Sequence, residues 1–376
     1  MNQSMGNAQS QKNTMKAMQI ASFDGTDGLR YTEMPPPAPG PEDVALDVEY
    51  AGVGYIEALL ADGLIDLPLP HVPGLEVTGR VRALGSQLAK PNLGIDLDSS
   101  SSLDSAPLDA SSNAASRPAP GNPRTPDQAL APGDPVVALT INGGGGYGQV
   151  AVTNANLVAP LPPGMDPVLA AAVPSNTTTA LLALEHIARL QPGEHVLVHA
   201  AAGGLGSQFG QIARLLGASR LVGVVGSEGK RRAALDLGYD EVWLRTELGD
   251  VSGQQFDVVV DPVAGPARQT SLDLLRLGGR LLAVGDAAQA GDPMVSSNSL
   301  WLRGIGIIGF NLGAFTAANP HTVGVYLRRS LNLVASGQVR VHLAERAPIR
   351  DAPRILAEMK TGATVGKVVL VHERKR

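Results

Sequence analysis

The sequence predicts an α/β protein in two parts, a β-rich part followed by a doubly wound parallel sheet. Three observations carry this expectation. Early segments alternate apolar and polar residues with period two between proline turns. From about Pro167 onward, short apolar runs of strand length alternate with helix-like stretches, as in a parallel sheet covered by helices on both faces. A chain of 376 residues, 44% of them hydrophobic, can also fill two separate cores.

Residues 1–14 are polar and rich in Gln, Asn and Ser, without the apolar stretch of a secretion signal or the arginines of a transit peptide. A disordered leader over 1–15 is the expectation, with Met15 as an alternative start. Strand signals fill residues 16–84, clearest over 44–50, and proline-rich turns fall at 35–41 and 67–73. Residues 89–132 then turn to Ser, Asp, Ala and Pro, with no helical or strand period. Few of these residues offset the entropy of being ordered, so a disordered insert over about 89–131 is expected. Strands are predicted over 134–139 and 149–153, with a glycine cluster at 143–148 between them. Beyond Pro167, residues 168–190 read as helix interrupted near Pro174, 194–199 as strand, and 204–216 as helix. Phe209, Ile212, Ala213 and Leu216 share one face of that helix, and Gly217 sits where a C-terminal cap belongs. Further strands are expected over 221–225, 241–244, 257–261 and 280–284, with a helix over 230–237.

Composition excludes several classes of function. A formal net charge of −5 without a basic stripe, and 3% aromatic residues, argue against nucleic-acid binding. No apolar run reaches the roughly 18–20 residues that cross a bilayer. The absence of cysteine removes disulfides, thiolate nucleophiles and cysteine-ligated zinc, and suits a cytoplasmic protein.

The strongest local signal is Ala201-Ala202-Gly203-Gly204-Leu205-Gly206, placed between a strand and a helix. Amides at a helix N-terminus carry partial positive charge and attract a pyrophosphate, and glycine lets the phosphate approach. Ala201 replaces the first glycine of G-x-G-x-x-G, so an ordinary strand-to-helix turn is the alternative. The strand–turn–helix setting favours a dinucleotide, bound by Ala202, Gly203, Gly204, Leu205 and Gly206. A site for NAD places an acid at the tip of the second strand, to hold the ribose 2′-hydroxyl. Here Val225 is followed by Gly226 and Ser227, then by Lys230. A hydroxyl and a cation suit a 2′-phosphate, so NADPH is the expected cofactor. The alternative is that the cations at 230–232 only begin a solvated helix.

Several further segments stand in a particular order. They are Ala51-Gly-Val-Gly-Tyr-Ile-Glu57, Val72-Pro-Gly-Leu-Glu-Val-Thr-Gly79, Pro132-Gly-Asp-Pro-Val136 and Gly145-Gly-Tyr-Gly-Gln-Val150. Thr179-Ala180, the glycine turn, Gly278-Gly-Arg280 and Gly366-Lys-Val-Val-Leu370 follow them. Together they resemble the medium-chain dehydrogenase/reductases, in particular the zinc-free quinone oxidoreductase and enoyl reductase branch. The resemblance implies a GroES-like catalytic domain over 16–167, a Rossmann domain over 168–310, and a return to the catalytic domain over 311–376. It also implies a nicotinamide in the interdomain cleft and a homodimer. Gly54 and Leu75 stand where zinc-dependent members carry Cys and His ligands, and the histidines show no ligand spacing, so no metal is expected.

Without a Lewis acid, reducing an activated acceptor is easier than oxidising an alcohol. The implied reaction is hydride transfer from NADPH to a small quinone or α,β-unsaturated carbonyl, largely by positioning. Tyr55 is the leading candidate to face the acceptor, as hydrogen-bond donor or proton source, and Tyr147 is the second. A tyrosine packed on the barrel wall and an aromatic that closes the cleft passively are their alternatives. Asn176, Thr179, Val284, Gly285 and Asn311 complete the expected cofactor set. Gly54 and Ile65 depart from the Asn and Tyr frequent in the branch. These departures leave open an NADPH-binding protein with little catalysis, and an enoyl-thioester reductase is the other alternative.

Overall fold

The computed structural model describes residues 14–88 and 130–373, apart from positions 142, 252, 254, 292 and 363. The expected leader and Ser/Asp/Pro insert lie outside the described residues, except for residues 14, 15, 130 and 131. Met15 already belongs to the first strand, so regular structure begins inside the expected leader. Its side chain is buried against Ala17 and Val150, which explains why the strand reaches that far.

Strands β1 (Met15–Ile20) and β2 (Leu29–Met34) form an antiparallel hairpin. There follow β3 (Asp43–Val53), helix α1 (Tyr55–Ala61), β4 (Glu76–Leu84), β5 (Pro135–Leu139), β6 (Val150–Asn154) and β7 (Val158–Pro160). β3 pairs antiparallel with β4, and it pairs with β6 through residues 43–47. β4 pairs with β5, and β5 with β7. Leu46, Val77 and Val81 fill the inside of this sheet.

Helices α2 (Pro167–Ala170) and α3 (Pro174–Leu182) each begin on a proline. The ring has no N–H to lose there and its φ suits a first helical turn. The break expected near Pro174 is therefore the start of a second helix, which continues as a π turn to Ile187.

The parallel sheet is built from β8 (His195–His199), β9 (Arg220–Val225), β10 (Glu241–Leu244), β11 (Phe256–Asp261), β12 (Leu275–Ala283) and β13 (Gly306–Gly309). Helices α4 (Gly206–Leu215), α5 (Arg231–Asp236), α6 (Pro266–Asp273) and α7 (Ser297–Arg303) lie along the connections. The strand order β10-β9-β8-β11-β12-β13 is the Rossmann order, and every pairing is parallel. Val196 and Val198 of β8 point into one core, Leu197 into the other, as a strand buried on both faces requires.

After α8 (Leu312–Ala318) and α9 (Pro320–Ala335), the chain rejoins the first sheet. Val323 and Leu327 of α9 share a core with Leu181 and Leu182 of α3. β14 (Leu343–Pro348), α10 (Ala352–Lys360) and β15 (Lys367–Val371) follow. β15 pairs antiparallel with residues 50–53 of β3, so that long strand carries both β6 and β15 along one edge. One core runs from Val137 and Ala159 through α3 to Val198 and Phe209, joining the two sheets. No helix among the described residues is long and apolar enough to cross a membrane.

A tight contact sits beneath the glycine turn. The Tyr239 hydroxyl donates to the Gly206 carbonyl at 2.7 Å, and a Cβ on Gly210 would lie 2.5 Å from the same ring. Gly210→Ala gains helix propensity of about 1 kcal/mol but overpacks this contact by about 1–3 kcal/mol. Net destabilisation is expected in urea unfolding. A midpoint equal to or above that of the parent would show that the ring can yield.

Candidate active site

The connections from β8 and β11 leave on opposite sides of the sheet, and a crevice opens between them at the carboxyl ends of the strands. Ala200 follows β8 with φ of 53°, a left-handed conformation that costs an L-residue roughly 1–2 kcal/mol. The resulting turn lets the Gly203 amide donate to the Ala200 carbonyl at 2.9 Å. A Cβ on Gly206 would stand 2.2 Å from that carbonyl oxygen, so glycine is required there. A Cβ on Gly204 would stand 2.8 Å from Nδ2 of Asn176, whose side chain fronts the turn. Gly203, Gly204 and Gly206 thus put no side chain of their own between the α4 N-terminus and the crevice, and the amide dipoles there favour an anion.

The crevice continues into a cleft of about 1820 Å³. That exceeds the ~300–1,000 Å³ of an ordinary small-molecule site and leaves room for a dinucleotide with a second molecule. Asn176, Thr179, Ala202, Gly203, Gly204, Leu205, Gly206, Ser227, Lys230, Val284, Gly285 and Asn311 all line it, and so does Tyr55. Asn311 also caps α8, accepting from the Ala314 amide at 3.0 Å.

Tyr147 does not line the cleft. It is fully buried in the antiparallel core, and its hydroxyl has no hydrogen-bond partner among the described residues. The glycine cluster folds over the ring instead of presenting it. The Tyr147 amide donates to the Pro73 carbonyl at 2.9 Å, and Gly74 packs so closely that a Cβ there would meet the ring at 2.6 Å. This placement corrects the expectation that Tyr147 faces an acceptor.

At the tips of β9 and β10 three groups converge. Ser227 follows β9, Arg245 follows β10, and Lys230 lies between them in sequence; all three line the cleft. Arg245 escaped the sequence reading, although a cation directly after the neighbouring strand was its signal. Nη2 of Arg245 would be 3.6 Å from a Cβ on Gly226, which brings it beside the Ser227 turn. Arg245 has no carboxylate partner among the described residues, whereas the nearby Glu228 is taken by Arg231 at 2.8 Å. The Lys230 ammonium donates to the carbonyls of Gly362 and of Thr364, the latter at 3.1 Å. Burial, then the Arg245 charge, lowers the Lys230 pKa from the usual lysine range.

The opposite wall comes from α1 and the loop before β4. The Tyr55 hydroxyl reaches across the cleft mouth and donates to the Ala287 carbonyl at 3.3 Å. His71, in the proline-rich turn over 67–73, also lines this wall. Its burial lowers its pKa, which keeps the imidazole neutral at pH 7. Ile65, Leu67 and Ile141 make this end of the cleft apolar.

Beneath the floor lies a buried charge cluster. The Lys367 ammonium is paired with Glu76, and the other Glu76 oxygen accepts from the Ser175 amide at 2.9 Å. Glu57 accepts from the amides of Gly54 at 2.9 Å and Leu75 at 3.2 Å. Burial pushes the Glu57 carboxyl up to about 7; Lys367 opposes this, Glu76 adds to it, and the backbone hydrogen bonds oppose it. Gly54 and Leu75 therefore offer amides to a carboxylate where zinc-dependent relatives would offer ligand side chains. No group of three or more His, Cys, Asp or Glu side chains able to hold a metal occurs among the described residues. The residues present do not fit a zinc ion.

Comparison with known proteins agrees with this architecture. A family described as zinc-binding dehydrogenase matches residues 204–327. A quinone oxidoreductase of Pseudomonas aeruginosa is 28% identical over 369 residues, covering 95% of this chain and 99% of its own length. The spectinabilin polyketide synthase system protein NorB of Streptomyces orinoci is 34% identical over 247 residues. That match covers 64% of this chain and 11% of the synthase protein, so the chain corresponds to a small part of it. A mycobacterial protein solved in complex with NADPH has a TM-score of 0.76 and 26% identity, with 95% of this chain and 99% of that one covered. These similarities support the medium-chain dehydrogenase/reductase superfamily, and within it the quinone oxidoreductase branch.

The Glu57 titration has a measurable sign. The folded chain keeps a proton that an unfolded glutamate releases near 4.5, so its stabilising effect is present below pH 4.5 and is lost as pH rises to about 7. Glu57→Gln removes this titration, whatever its constant cost. Its stability relative to the parent should improve by on the order of 2–3 kcal/mol between about pH 4.5 and about pH 7. Urea unfolding at both ends of that window checks this, and a pH-independent difference would count against a protonated Glu57.

Proposed function

We propose that the chain is a zinc-independent reductase that transfers hydride from NADPH to a quinone or an α,β-unsaturated carbonyl. The observation that carries the cofactor choice is the set Ser227, Lys230 and Arg245 at the tips of adjacent strands, with the nearby Glu228 already neutralised. A hydroxyl and two cations complement a 2′-phosphate, and there is no acid at the tip of β9 to receive a 2′-hydroxyl. The likeness to a structure solved with NADPH supports the same choice.

Bound there, NADPH supplies a hydride, and an acceptor of this class takes it at an electrophilic carbon and then one proton. The glycine turn and the α4 N-terminus would hold the pyrophosphate, and Asn176 and Thr179 would orient the nicotinamide end. The apolar wall receives a flat acceptor. Tyr55 and neutral His71 are the polar groups of that wall able to donate to an oxygen that gains negative charge. The similarity to a polyketide synthase protein favours an enoyl-thioester reductase as the second reading.

The chain is also proposed to act as a homodimer. β13 is an edge strand of the parallel sheet, and Trp301 and Leu302 of the neighbouring α7 are 76% and 75% exposed. Pairing of two copies at this edge would cover both the strand and the apolar side chains.

Ser227→Ala, Lys230→Ala and Arg245→Ala should each raise the KM for NADPH by about tenfold or more, the loss of ~1.4 kcal/mol of binding, while leaving NADH kinetics nearly unchanged. Equal losses with both cofactors would remove these residues from the 2′-phosphate. In an acceptor screen over quinones, simple enones and enoyl thioesters, multiple-turnover oxidation of NADPH is expected with at least one class. Tight NADPH binding with no turnover on any of them would leave a cofactor-binding protein without catalysis.

A further inference from the structure

The charge cluster beneath the cleft closes a circuit through elements that are far apart in sequence. Gly203 forms a bridge to Gly366, and a Cβ on Gly204 would lie 3.3 Å from the Gly366 carbonyl oxygen. The start of β15 is therefore pressed against the glycine turn. The next residue, Lys367, sends its ammonium to Glu76 of β4. Glu76 holds the Ser175 amide in the first turn of α3. Asn176, one residue on, fronts Gly204 and completes the circuit. Space for the Glu76 carboxylate exists because position 52 is glycine; a Cβ there would sit 2.6 Å from the carboxyl carbon.

Lys367 and Glu76 are 3% and 1% exposed, yet Lys367 lines the cleft. A pair this deeply buried is a poor source of net stability, because desolvation offsets its attraction, and apolar replacements of similar size are often tolerated. Its value must then lie in what it holds in place. Relative to the glycine turn, Asn176 is located from one side by α3 and from the other through Gly366. The ion pair ties those two routes together.

We propose that Lys367 and Glu76 are positioning residues that set the gap between the glycine turn and Asn176, and so set cofactor affinity. This inference rests on the NADPH reading above. Neither side chain is required to act on the acceptor.

The test uses the full chain with Lys367→Met, Glu76→Gln, the double variant and Lys367→Arg. NADPH affinity is measured by fluorescence titration, alongside melting temperature and steady-state kinetics. Glu76→Gln keeps an acceptor for the Ser175 amide but loses the charge. Each single variant should bind NADPH about tenfold more weakly or worse, with kcat at saturating NADPH changed by less than about threefold. The double variant, freed of an unpaired buried charge, should melt near the parent yet still bind NADPH weakly. Lys367→Arg should recover part of the affinity.

If the double variant regains affinity together with melting temperature, the pair is purely structural and the inference fails. Single variants that melt lower but bind like the parent overturn it too. Should the single variants not fold, the double variant and Lys367→Arg decide; a double variant that also fails to fold counts against a positioning role. A parent chain that binds no NADPH removes the cofactor reading and this inference with it. A parent that binds while the variants match it removes only the inference.

Discussion

Parallel strands can be joined only by crossovers that return over one face of the sheet, and those crossovers are right-handed. Where successive crossovers cover opposite faces, the sheet must open a crevice, and here it opens between β8 and β11. The residues of the candidate site are arranged around that gap. The strained residue Ala200 bends the chain at its rim, and Gly206 is required because the Ala200 carbonyl leaves no space for a side chain. Strain of this kind costs on the order of 1–3 kcal/mol and persists only where the surrounding packing overdetermines it. Tyr239 from below and Gly366 from the side supply that packing.

Charge is distributed in two ways around the gap. At the rim, Arg245 and Ser227 stay accessible, and Lys230 is held by carbonyl groups without a carboxylate to cancel its charge. Such cations attract a phosphate without the cost of first breaking an ion pair. Beneath the floor, the arrangement is reversed. Lys367 and Glu76 are removed from water and cancel each other, and Glu57 is driven toward its neutral form by burial, with the nearby Glu76 charge adding to it. The rim is thus suited to binding, and the floor to holding four segments of chain in register.

Much of the architecture could be read from patterns of local period. The parallel strands were visible as runs of Val and Leu because both of their faces are buried, and α4 was visible from Phe209, Ile212 and Ala213 on one side. The glycine turn and the residues that line the cleft on its side were legible because motif spacing and backbone geometry are linked over a few residues. Legibility failed where side-chain direction depends on distant packing. The glycines around Tyr147 suggest a residue facing the acceptor, yet they let a loop close over its ring. His71 lies in a proline-rich turn with no period, and it reaches the cleft because that turn is pinned to β1 through Ile20.

The sequence by itself determined the class of fold, the position of the glycine turn and the absence of cysteine chemistry. These follow from residue identity and from spacings shorter than one strand–turn–helix unit. Only the tertiary structure decided that Arg245 joins Ser227, that Tyr55 reaches Ala287, and that Lys367 meets Glu76. Tyr55 and Ala287 are 232 residues apart in the chain, and such meetings depend on how two sheets share a core. No local pattern encodes that relation, because the energy that fixes it comes from burying many side chains at once rather than from any one segment.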